Sequence, residues 1–184
     1  MSARIAPETP PFAEDIEAAL ARIMPPGAPP LVLFTTLARN PRVFQRVMAG
    51  GLLDPGSISL RERELIIDRT TSRCGSEYEW GVHIAFFAER AGLGDAAIAT
   101  VLHGAPDDPI FTPREQLILR LVDALHETNA IDDALWRPLK AEFSDEQLIE
   151  MVVLTGFYHT ISFVTNAFAI PLEENAARFA AYRR

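Results

Sequence analysis

The chain has 184 residues, a formal charge of −8 and a single cysteine. That length is enough for one domain with its own core, and an acidic balance without a basic run argues against nucleic acid or an anionic membrane surface as a partner. A lone cysteine excludes an internal disulfide and fits a reducing compartment. Met1–Pro10 has no apolar signal region and no window reaches about 18 uninterrupted apolar residues, so a cytoplasmic protein without a membrane span is expected.

From the N-terminus onward the apolar spacing is helical. Pro10 and Pro11 precede an amphipathic stretch from Phe12 to Met24, with Ile16, Ala19, Leu20 and Ile23 on one side. Pro25-Pro-Gly-Ala-Pro-Pro30 breaks it, and Leu31 to Ala38 follows. Asn40-Pro41 reads as an N-cap with proline at the first helical position, opening a helix that Gly50-Gly51 stops. Three capping boxes mark later starts: Ser59 with Glu62, Thr112 with Glu115 and Ser144 with Gln147. Helices are predicted over about 60–73, 76–91, 95–103, 113–128, 132–141 and 145–168, the last with a break near Gly156. A short helix is predicted after Pro171. No alternating strand pattern occurs, so the predicted fold class is all-α, as a single domain over residues 1–184.

One stretch departs from this apolar pattern. Between Glu64 and His83 the chain carries several carboxylates, a thiol and an imidazole around a helix break at Cys74-Gly75. Glu79 and His83 stand four apart and share a helical face. Tyr78 and Trp80 flank them and are expected to desolvate part of the cluster. A carboxylate and an imidazole so placed are the materials of acid–base chemistry. Two bland readings compete. Ser76 and Glu79 also spell a capping box, and Glu64, among Arg61, Glu62 and Arg63, also reads as part of an exposed ion-pair cluster.

The spacing Glu64-x11-Ser76-x2-Glu79-x3-His83 resembles the signature of the carboxymuconolactone decarboxylase family. Its alkylhydroperoxidase D-type members carry Glu-x11-Cys-x-x-Cys-x3-His. Glu64 and His83 match the outer acid and base, while Ser76 and Glu79 stand where the peroxidases have cysteines. The run Tyr78-Glu79-Trp80 before the histidine resembles the decarboxylase-like branch. The likeness is strong over about residues 57–105, with a helical extension over about 11–50. It implies an AhpD-like helical bundle, a small-molecule substrate and self-association as a trimer or hexamer. It also implies proton transfer coupled to decarboxylation, or a related step, on a small oxygenated acid or lactone. His83 would be proton donor or base, Glu79 its orienting partner and Glu64 a relay. Ser76, Tyr78, Trp80 and His159 are expected to line the substrate site, with no cofactor and no metal.

Two alternatives stand beside this reading: an AhpD-like peroxidase and a non-catalytic oligomeric binding protein. Cys74 lies two residues before the first peroxidase cysteine, about 200° around a helix, so it reads as a small residue at a helix junction. Arg73 reads as solvated, and His103 and His126 as helix-end residues without a catalytic role. Laying Leu65-Ile66 on Leu148-Ile149 gives a weak internal echo, which suggests two pseudo-symmetric helical hairpins.

Overall fold

The structure, a computed structural model, describes residues 3–182; Met1 and Ser2 of the stretch read for a signal lie outside them. Nine α-helices are described: α1 (Glu14–Ile23), α2 (Val32–Leu37), α3 (Pro41–Gly50), α4 (Leu60–Arg73), α5 (Glu77–Phe87), α6 (Asp95–His103), α7 (Pro113–Thr128), α8 (Asp133–Glu142) and α9 (Asp145–Ala167). A 3-10 turn (Phe179–Tyr182) follows, and no strand occurs among the described residues. The fold is all-α, as its period and caps predict. All three capping boxes are formed, and Asn40 caps α3 through Val43.

Helix α4 is the axis of the molecule, packed against α5, α6, α7 and α9. It is surrounded, so every residue from Arg63 to Thr71 is buried and no one-sided stripe is visible in its sequence. Its polar groups are satisfied internally. The Arg69 guanidinium donates to both oxygens of Asp123 at 2.7 Å, and to the carbonyls of Val101 and Gly104 at 2.9 Å. Thr70 and Thr71 donate to carbonyls one turn back.

The end of α4 sets the geometry of the site. Gly75 has φ +62°, and the Ser76 and Gly75 amides donate to the carbonyls of Thr71 (2.9 Å) and Ser72 (3.0 Å). This paired C-terminal cap turns the chain sharply, so that α5 folds back along α4.

A second apolar cluster lies over α5 and α9. Ile16, Leu20, Leu33, Leu37 and Phe44 of α1–α3 meet Tyr78, Val82 and Ile161 there. The C-terminal segment crosses the other side of α5. The Ala177 amide donates to the Gly81 carbonyl, and Trp80 packs edge-on against Phe179 and Tyr182.

Helix α9 differs from expectation. It runs unbroken through Gly156, whose missing side chain meets nothing within 4 Å. The second half of the echo is therefore one rod and not a hairpin, and Ile149, laid on fully buried Ile66, is 65% exposed. By length and mean hydropathy (1.4), α9 is long and apolar enough to cross a membrane, with 44% of that window buried within the fold.

Candidate active site

Glu64 and His83 come from α4 and α5, and the turn at Gly75 brings them into contact. The His83 Nδ1 lies 2.8 Å from Glu64 Oε2, and Glu64 is 0% exposed. Glu64 Oε1 accepts from the Arg63 guanidinium at 2.8–2.9 Å. The exposed ion-pair reading of Glu64 is thereby overturned: its side chain points into the bundle at the axis helix. On the other ring edge, His83 Nε2 is 3.0 Å from the Tyr158 hydroxyl and 3.6 Å from Glu79 Oε1. Phe87 stacks on the imidazole at 5.2 Å.

Burial works against a charge on His83, but the carboxylate of Glu64, aided by Glu79, outweighs it and pushes the pKa up to about 10. His83 is therefore an imidazolium at neutral pH. Both ring nitrogens then donate, Nδ1 to Glu64 and Nε2 towards Tyr158, leaving the tyrosine's own hydrogen for another acceptor. Burial, then the charge of Glu64 one helical turn away, raises the Asp68 carboxyl well above the ordinary range. Tyr158 is likewise raised, by burial and by the charges of Glu79 and Glu64. The carboxylates of Glu64 and Glu79 face the cations of Arg63 and His83.

A cavity of about 650 Å³ opens onto this group. Glu79, His83 and Tyr158 form its polar floor, and Leu33, Phe34, Val47 and Met48 of the N-terminal layer form an apolar wall. Arg90 also lines it, its guanidinium 5.6 Å from the Phe87 ring centre and without an ion-pair partner among the described residues. Glu79 Oε2 is buried and has no hydrogen-bond partner among the described residues.

The capping reading of Glu79 fails as well. Ser76 makes no side-chain cap on α5; its hydroxyl instead meets Thr165 at 2.8 Å, while Glu79 turns to His83. Of the four residues expected to line the site, none borders the cavity. Ser76 is fully buried against α9. The Tyr78 hydroxyl accepts from the Leu33 amide and donates to Glu173, which also accepts from the Val32 amide; it ties α2, α5 and the C-terminal segment together. Trp80 is spent on the C-terminal crossing. His159 faces away, and its neighbour Tyr158 takes the place foreseen for it, because 100° of helical rotation separates adjacent residues. Arg73 is not merely solvated: its guanidinium donates to both oxygens of Asp123 at 2.8 Å.

His159 belongs to a second group that the sequence reading missed. Its Nε2 lies 3.0 Å from His126 Nδ1, which in turn lies 3.9 Å from Cys74 Sγ. All three side chains are half-buried. Burial pushes the Cys74 thiol pKa up, and burial with the nearby His159 and Arg73 pulls the His126 pKa down. The thiol thus faces His126 and not His83, and no cysteine lines the cavity at His83 among the described residues.

An all-helical fold whose axis helix delivers a glutamate to a histidine on the next helix defines the AhpD-like class. Residues 40–124 match the family model described as the carboxymuconolactone decarboxylase family, and the fold is that of the AhpD-like helical proteins. An uncharacterized peroxidase-related protein from Silicibacter sp. TM1040 superposes with a TM-score of 0.80 at 18% identity, over 93% of this chain and 92% of that one. A protein of unknown function from Agrobacterium tumefaciens that carries the AhpD name gives 0.67 at 25% identity, over 73% and 93%. The debrominase Bmp8, in complex with 2,3,4-tribromopyrrole, gives 0.75 at 15% identity, over 95% and 94%. No functionally curated protein matches the chain in sequence.

Proposed function

We propose that the protein is an acid–base enzyme that delivers a proton from His83 to a small oxygenated carboxylic acid or lactone, in a decarboxylation or a related proton transfer. The observation that carries this reading is the two-sided setting of His83. Its Nδ1 is held by fully buried Glu64, and its Nε2 faces Tyr158 and Glu79, which line the cavity together with His83. Glu64 then acts as the orienting partner and Glu79 as the group nearer substrate, the reverse of the roles that the family likeness suggested. The unpartnered Oε2 of Glu79 offers an acceptor for a substrate hydroxyl, and Arg90 offers an anchor for a carboxylate at the cavity edge. Loss of CO2 leaves an electron pair on carbon, and the imidazolium supplies the proton that quenches it.

A peroxidase reading draws on the names of two similar structures, but it needs a thiolate beside the acid and base. The only thiol faces His126, and burial raises its pKa. The test is a panel of small cyclic carboxylic acids and lactones in deuterated water, followed for CO2 release and for deuterium at carbon. Turnover that falls by about 10²–10⁴ in His83→Gln is expected. Turnover unchanged in that variant, or lost in Cys74→Ser and kept in His83→Gln, would defeat the proposal.

The self-association expected from the sequence is proposed to use α9. Ile149, Val153 and Phe163 are 65%, 53% and 66% exposed on that helix, an unusual share of apolar surface to leave in water. Light scattering of the wild type should give a mass above that of one chain, and Phe163→Glu should lower it. A wild type that scatters as a single chain at micromolar concentration would refute this.

A further inference from the structure

We propose that Cys74, His126 and His159 form a binding site for a divalent transition metal of zinc type, separate from the His83 cavity and independent of the function proposed for it. The three side chains come from the C-cap of α4, the last turn of α7 and the middle of α9, all anchored elements. One ligand atom from each lies within 4.8 Å of the other two. Tetrahedral zinc, with bonds of about 2.0–2.1 Å to nitrogen and about 2.3 Å to sulfur, places its ligand atoms roughly 3.3–3.6 Å apart. The observed separations of 3.0 Å (His126 Nδ1 to His159 Nε2) and 3.9 Å (Cys74 Sγ to His126 Nδ1) bracket that span. The third pair, Cys74 and His159, lies within 4.8 Å, so closing the site draws these two side chains together.

The supporting contacts favour ligation over an ordinary histidine pair. His159 Nδ1 donates to the Thr155 carbonyl at 2.9 Å, which fixes the tautomer and leaves the Nε2 lone pair facing the centre. Asn166 Nδ2 donates to the Cys74 carbonyl at 2.9 Å and holds the backbone that carries the thiol. His126 Nδ1 faces both His159 Nε2 and Cys74 Sγ, so its ring presents that nitrogen to the centre of the group. The charged groups facing the ring are Arg73, Asp123 and Glu127. Arg73 is engaged by both oxygens of Asp123, which blunts its repulsion of a cation. Binding replaces the thiol proton with a sulfur–metal bond and releases that proton to solvent. The His126 proton moves to Nε2, and water takes the fourth position of this half-buried site.

Untagged, reduced protein titrated with Co2+ alone should take up one equivalent and develop the thiolate-to-cobalt charge-transfer absorption, which Zn2+ then abolishes by displacement. Cys74→Ser should lose that absorption, and His159→Ala should weaken Zn2+ binding by more than the roughly 10–100-fold typical of losing an outer-sphere partner. His83→Gln, in the other cluster, should bind Co2+ like the wild type, and circular dichroism would establish that each variant is folded. No charge-transfer absorption in folded wild-type protein at excess Co2+ would overturn the site. So would Zn2+ affinities that are equal in the wild type and in both Cys74→Ser and His159→Ala.

Discussion

Two histidine groups share helix α9, which gives Tyr158 to one and His159 to the other, and they are built from different chemistry. His83 sits between two carboxylates in a closed interior, so its proton is held to about pH 10. His126 sits against another imidazole and a guanidinium in a half-open pocket, so its proton is shed more easily than from a free histidine. Burial opposes the charge in both. The difference lies in what surrounds each ring: Glu64 at 2.8 Å supplies a hydrogen-bonded negative charge to one, while at the other burial, His159 and Arg73 outweigh the carboxylates of Asp123 and Glu127. One fold thus keeps a proton donor and a lone-pair donor apart by choice of neighbours.

The largest break in this contrast should come from Glu64→Ala. Removing one member of a buried ion pair leaves Arg63 and His83 uncompensated and costs about 3–5 kcal/mol, read as a lower denaturation midpoint at neutral pH. The pH profile should follow next. The native state binds a His83 proton that the unfolded chain releases near pH 6.5, so the stability it confers is complete below that pH. It is lost progressively as pH rises to about 10. Denaturant midpoints across this window should fall in the wild type and flatten in His83→Gln.

Asp68→Asn should act in the opposite direction to Glu64→Ala. The raised Asp68 also keeps a proton that the unfolded chain gives up, above its ordinary value near 3.8, which weakens the native state as pH rises. The variant should therefore be more stable than the wild type at pH 7, with the gain shrinking towards pH 4. The smallest effect is expected at the second cluster. Cys74→Ala in metal-free protein should change stability by no more than about 1 kcal/mol, since the residue is half-buried and its sulfur contact to His126 is a long 3.9 Å. A loss as large as that of Glu64→Ala would erase the distinction between the two groups.

The local signals in the sequence were strong and the long-range ones faint. Ser59 with Glu62, Thr112 with Glu115 and Ser144 with Gln147 placed three helix starts, because a cap is decided within four residues. Glu64 and His83 were legible because a tight turn separates them, and a fixed spacing through a tight turn has one geometry. Ser76 with Glu79 carried the same cap lettering and did not form the cap: the bonds to Thr165 and His83 come from other turns and other helices. Tyr158 is 75 residues from His83, and Cys74, His126 and His159 stand 52 and 33 residues apart. Such pairings depend on how α7 and α9 are rotated about their axes, and a helical period does not fix that rotation when a helix is buried on several sides. Gly156 suggests a break, but a single glycine costs a helix only about 1 kcal/mol, and α9 continues through it.

Gly81 carries one further consequence. A β-carbon there would stand 2.3 Å from the Ala177 carbonyl oxygen, so the crossing of the C-terminal segment leaves room for glycine and nothing larger. Helix propensity alone would favour alanine by about 1 kcal/mol. Position 81 therefore works as a molecular gauge of whether residues 171–182 are docked. With the segment in place, Gly81→Ala should destabilise the chain; with the segment deleted, the same substitution should stabilise what remains. The sign of a single methyl group thus reports the state of a strand of chain almost a hundred residues away.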